Sequence, residues 1–266
     1  SAVSVVLLSA VVAALIAQIG LGSQPAFALP ANHDRRNLEL PHYLGLGLGA
    51  SLISVTYTES IRLAKAGFAG NLSGLKLLGK IPQSIQPILG GIIIGAVGWR
   101  YPQILGIGYG TVEAMLQDED FSLNLLLILL VLKLLMTAVS SGSGFVGGLF
   151  APAMFLGASF GSAYAKFLAV VIPGIGEHIA APPAYAMIGM AAVLAGSVRA
   201  PLTAILLLFE LTRDYRIVLP LMAAVGLSTW LVEQIKPTLD ANTNLQQIGL
   251  PELKDEKVEL WQQMLV

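Results

Sequence analysis

Apolar runs long enough to cross or half-cross a lipid bilayer recur along the chain, at about residues 1–20, 43–64, 83–99, 121–139, 149–170, 184–208 and 215–235. A bilayer's hydrocarbon core is roughly 30 Å thick and takes about 20 helical residues to span. No water is available there, so each backbone N–H and C=O has to be paired within the protein, by helices or by closed barrels. The runs lack the alternation of apolar and polar residues that a lipid-facing barrel needs. The pattern therefore predicts an all-α, polytopic membrane protein. Composition agrees: 55% of the 266 residues are hydrophobic and 12% charged, against roughly 25% charged in a soluble domain.

Other function classes find no residues to use. The net charge is -1 and no basic cluster mixes with aromatics, so nucleic acid is not an expected partner. Cysteine is absent, which excludes disulfides, thiolate metal sites and a cysteine nucleophile. His33, His42 and His178 stand in polar connecting stretches without metal-ligand spacing, so no metal or cofactor is expected. A Ser/His/Asp order, a phosphate loop and paired carboxylates are all missing, and the chain does not read as an enzyme. Ala26, Phe27 and Ala28 have the small-x-small look of a signal-peptide cleavage site, but there is no basic leader and the preceding apolar run has the length of a span. The first residue is Ser1, as in a processed product or a piece of something longer.

The connections are polar: residues 31–41, 64–82, 117–120 and 173–183. Arg62, Lys65, Lys76 and Lys80 gather around the second, a candidate for the cytoplasmic side. Past Lys236 and Pro237 the composition turns polar, dividing a transmembrane part, residues 1–237, from a tail, 238–266. In that tail Leu253, Leu260, Trp261, Met264 and Leu265 share one face of a short amphipathic helix beginning near Pro251. Small residues four apart, at Gly45/Gly49, Gly157/Gly161 and Ala192/Gly196, are read as helix-packing contacts.

The most informative stretch is the least regular. Ser140 to Gly148 interrupts the apolar sequence with glycine and serine, and Pro152 then marks a helix start at about Leu149, since proline suits a first turn. If that start lies at membrane depth, its first N–H groups have no intrahelical acceptor and carry about half a positive charge from the helix dipole. Leaving them bare in hydrocarbon costs several kcal/mol each, and an anion is the ready acceptor. A loop at the membrane surface would need no such acceptor, and spacing leaves both readings open. A second break, Ser197 to Pro201, splits another apolar run, as in transporters with discontinuous helices. Arg199 within it reads as a structural arginine satisfying loop carbonyls. Glu210 reads as reaching interfacial water, Arg213 and Asp214 as solvated, and Glu59 and Arg62 as a pair on one helix face.

At these two breaks the sequence resembles the CLC family of chloride channels and chloride/proton exchangers. The segment GGLFAP, Gly147 to Pro152, is similar to the family's G-x-F-x-P element, with Gly148, Phe150 and Pro152 at its fixed positions. Residues 189–222 resemble the stretch that follows, and the resemblance runs over about residues 1–237. It implies a CLC-type bundle with discontinuous helices, here the second inverted repeat plus part of the first. It also implies a homodimer, an ion pathway in each subunit, and chloride as substrate with no cofactor. By resemblance the backbone N–H groups of Leu149 and Phe150 bind the central chloride, with Gly147, Gly148 and Pro152 supporting the helix start.

Two departures stand out. The family's G-S-G-x-P and G-R-E-G-P elements do not occur in this chain. It is therefore expected to need a missing amino-terminal half to complete a pathway. Where the family has a K-P-x-Y tyrosine at the inner mouth, this chain reads KPTL, with Leu239 in the tyrosine's place. The leading reading is chloride transport, by a voltage-gated-type channel or a chloride/proton antiporter. The alternatives are another secondary transporter with broken helices, or a non-transporting fragment.

Overall fold

A computed structural model describes residues 9–13, 16, 40–71, 81–171, 180–212 and 218–236. Among them the regular elements are helices: α1 (Leu40–Phe68), α2 (Gln86–Arg100), α3 (Tyr109–Leu116), α4 (Leu123–Gly142), α5 (Phe150–Val171), α6 (Pro182–Val198), α7 (Pro201–Thr212) and α8 (Val218–Ile235). Residues 9–13 are also helical, and a 3-10 turn at Pro102–Ile104 joins α2 to α3. Local chemistry sets several starts. Ser122 caps α4, its hydroxyl accepting from the Leu125 amide at 3.3 Å. Prolines occupy the first turns of α2 and α6 and open α7, where an N–H would have no partner.

The centre of the bundle is α6, buried at every residue from Pro183 to Ser197. Its apolar character runs all the way round, as an interior helix requires. The backbones of α5 and α6 touch: a methyl added at Gly157 would run into Gly189, and one at Gly161 into the Tyr185 carbonyl. Close approach of this kind replaces the hydrophobic drive that lipid cannot supply. Gly45 and Gly49 take the rings of Tyr164 and Phe160, and Gly196 packs against Ser54 and Ser228, so the small-residue pairs serve packing as expected. Buried hydroxyls add cross-links: Ser54 donates to the Val193 carbonyl at 3.0 Å and Ser228 to that of Ala192 at 2.9 Å.

On α4 the buried face carries Leu126, Leu129, Lys133, Leu134 and Ala138, while Leu127, Ile128, Val131 and Leu135 are exposed. Both faces are apolar, the pattern of a helix with protein on one side and lipid on the other. Among the described residues three helices, α4, α5 and α8, are long and apolar enough to cross a membrane, whereas α6 has 17 residues and α7 only 12. The run at 184–208 is thus two helices, divided at Arg199 and Ala200 as the second break predicts.

Some expectations change. Residues 101–116, covered by neither an apolar run nor a predicted connection, fold into the 3-10 turn and α3. His42 lies in the first turn of α1 and not in a connecting stretch, because α1 begins at Leu40; Arg62 and Lys65 also belong to α1, which continues to Phe68. The predicted roles of His33, His178, Lys76, Lys80, Arg213, Asp214, Leu239 and the tail 238–266 fall outside the described residues.

Candidate anion site at the start of α5

The chain between α4 and α5 doubles back. Gly142, the last residue of α4, packs against Ala64 and Phe68 near the C-terminal end of α1. Gly144 then takes φ +92°, a left-handed conformation open to glycine at no steric cost, and the chain returns alongside α1. The return stops at Tyr57, whose hydroxyl donates to the Leu149 carbonyl at 3.1 Å. Tyr57 is seven residues before Ala64, so α5 begins on the order of 10 Å farther in along α1 than α4 ends. It stands about 16 Å from the Phe68 end of a helix about 43 Å long. The α5 start is consequently within the bundle's height and not at its rim.

Helical pairing begins late here. Ala153 is the first residue whose amide finds an acceptor, the Leu149 carbonyl at 3.2 Å. Among the described residues no oxygen accepts from the amides of Leu149, Phe150 or Ala151, and Pro152 has none to offer. These donors crown a 22-residue helix whose dipole adds positive potential at that end. Beside them is a cavity of about 510 Å³, lined on this side by Gly147, Gly148, Phe150, Ala151 and Pro152. Both glycines are exposed, and a Cβ placed on either meets no protein atom within 4 Å. Phe150 lines the cavity and is 40% exposed. Leu149 instead packs its side chain on the hydrophobic core and offers the site only backbone.

Two residues that sequence reasoning passed over complete this region. Tyr57, fully buried, fixes the height of the α5 start. Lys133, 3% exposed, also lines the cavity, donating to the carbonyls of Ile104 and Gly106 at 2.9 Å each, with its Nζ 4.9 Å from the Phe155 ring centroid. In the sequence Lys133 is one cation in a run of leucines. Its spacing of seven and four residues puts it on the face of Leu126 and Leu129, but only the structure shows that this face is the buried one.

The other polar candidates lie elsewhere. Arg199 caps α6 with φ +56° and donates to the Lys236 carbonyl at 2.5 Å, the structural role expected of it. The Lys236 ammonium pairs with Glu59, which also holds Arg62 at 2.6 Å. None of these residues, nor the exposed Glu210, borders the cavity. Among the described residues no three His, Asp or Glu side chains gather as a metal site would require.

Comparison with known proteins gives a consistent result. The family model described as Voltage gated chloride channel matches residues 1–233. The chain is 41% identical to chloride channel protein CLC-e of Arabidopsis thaliana, over 86% of this chain and 33% of that protein. It is 30% identical to the H(+)/Cl(-) exchange transporter ClcA of Vibrio campbellii, over 82% of this chain and 45% of that one. The crystal structure of a slow cyanobacterial Cl-/H+ antiporter superposes with a TM-score of 0.65 at 23% identity, covering 80% of this chain and 48% of the other. The chain thus spans between a third and a half of these relatives' lengths.

Proposed function

The chain belongs to the voltage-gated chloride channel family, and from that premise we propose that it supplies the later part of a chloride pathway, with the ion held by the backbone amides of Leu149 and Phe150. The observation that carries the reading is the set of amides without acceptors at the α5 start, beside a cavity and inside the bundle's height. Amide dipoles attract a halide yet let it leave, which conduction requires and a firm ion pair impedes. Gly147 and Gly148 keep the approach clear, and Pro152 sets the first turn. An amino-terminal half supplies the remaining ligands and gate. The exposed apolar side chains of α7 and α8, among them Leu206, Leu219 and Trp230, are assigned to lipid and to a second copy of the protein. By the family resemblance alone, Leu239 stands where the inner-mouth tyrosine would fall.

Anion flux from liposomes containing the full-length gene product tests this. Chloride, bromide and nitrate are expected to pass and a bulky zwitterion to be excluded. Efflux of an amino acid in place of halides sinks the reading and favours a different broken-helix transporter.

A further inference from the structure

We propose that Lys133 is a positioning residue for this cavity: its ammonium holds the carbonyls of Ile104 and Gly106 and thereby fixes the wall that the 102–108 segment gives to the anion's surroundings. The proposal rests on the reading of the cavity as an anion pathway.

The segment between α2 and α3 is a single 3-10 turn followed by irregular backbone. Ile104, Leu105, Gly106 and Ile107 all border the cavity that the α5 start borders. Irregular backbone in a membrane bundle has to find its hydrogen-bond partners in the protein or in water. Two of these carbonyls find them in one side chain, the Lys133 ammonium, at 2.9 Å each. That ammonium is nearly inaccessible, and among the described residues no carboxylate pairs with it. Its charge is met by carbonyl dipoles and by the face of Phe155, a ring on α5 itself.

The same three parts interlock at Gly108. That residue has φ +81°, and a Cβ there would lie 2.7 Å from Phe155 Cδ2 and 3.5 Å from Lys133 Nζ. Segment, lysine and α5 therefore meet with no room for a side chain. A lysine that served only to neutralise a carboxylate would sit beside one. Here the donors are directed at backbone, and the backbone they hold is cavity wall.

The test uses the full-length protein in liposomes, comparing wild type with Lys133→Arg, Lys133→Met and Gly108→Ala. Chloride dependence of flux is measured together with amide hydrogen exchange over residues 101–112. Lys133→Met is expected to raise the half-saturating chloride concentration about tenfold and to speed exchange at 104–108, because the orphaned carbonyls release the segment. Arginine, which can donate to both carbonyls, is expected to stay within about twofold of wild type on both readouts. Gly108→Ala keeps the lysine but displaces the segment, and is expected to reproduce the methionine phenotype. This pair also carries the test if Lys133→Met does not fold. Reduced chloride affinity in Lys133→Met with unchanged exchange, and a silent Gly108→Ala, overturns the proposal and makes the ammonium a charge acting on the ion. Faster exchange with unaltered chloride dependence overturns it as well, since the segment is then no part of the ion's surroundings. Wild-type protein that carries no chloride defeats the transport reading instead, while the exchange comparison still decides the clamp.

Discussion

Replacing Phe150 with proline removes one amide from the α5 start and little else from the fold. Phe150 is the first residue of its helix, and its N–H donates to no oxygen among the described residues, so no helical hydrogen bond is lost. Proline is favoured at such a position, with a backbone angle already suited to a helix. Its ring restrains the preceding Leu149 to extended conformations, a small local demand. What is lost is a donor to the ion. A hydrogen bond to a charged group contributes about 1.5–3 kcal/mol, and 1.4 kcal/mol is a factor of ten in affinity. Phe150→Pro is thus expected to weaken chloride binding by about 10- to 150-fold. The aromatic ring disappears too, so Phe150→Ala, which keeps the amide, is the reference. Calorimetric chloride titration of the full-length protein, with flux at a series of chloride concentrations, reads the difference between the two variants. Equal affinity in both would refute the assignment of this amide, and an equal loss in both would transfer the effect to the ring.

Gly161→Val drives a side chain into the Tyr185 carbonyl and parts α5 from α6. Overpacking of this kind costs about 1–3 kcal/mol or more, and thermal unfolding in detergent should fall by several degrees, with a wild-type value showing that the helices are not in backbone contact. Arg199→Ala removes the hydrogen bond to the part-buried Lys236 carbonyl, at a cost of about 0.5–1.5 kcal/mol. Thermal stability should drop while chloride affinity holds, and a change in affinity alone would contradict its structural role. Asp120, exposed at the entry to α4, accepts from the Lys166 ammonium at 2.8 Å; that hydrogen bond and the lysine's charge hold its carboxyl below the usual carboxylate range. A lowered folded-state pKa means the contact favours the fold above the carboxyl's unfolded pKa and is lost as pH falls through the folded one. The stability difference between wild type and Asp120→Asn should therefore be small at neutral pH and vanish in acid; a difference that grows as pH falls reverses the sign and the argument.

The sequence by itself determined the solvent, the helices and the place of the break. In lipid a chain without the alternation of a barrel can satisfy its backbone only within helices, so apolar length located α4, α5 and α8. Glycine, serine and proline at 140–152 and 197–201 act on the residues that carry them, which is why both interruptions could be found from local chemistry, although each is shorter than predicted because α4 continues through Ser140–Gly142 and α6 through Val198. The small-residue pairs were legible for a similar reason, since a missing side chain marks a close approach whatever the partner is. Tertiary structure decided depth and partnership. That the α5 start reaches in as far as Tyr57 depends on how α4, the turn at Gly144 and α1 stack, a relation spanning 92 residues from Tyr57 to Leu149. Lys133 stayed hidden because α4 is apolar on both faces, so no polarity gradient told which side met protein and which met lipid. The residues that receive its hydrogen bonds are 29 and 27 positions away, on a segment with no strong pattern of its own. Local sequence can dictate that donors are left over; only the packed bundle decides what they face.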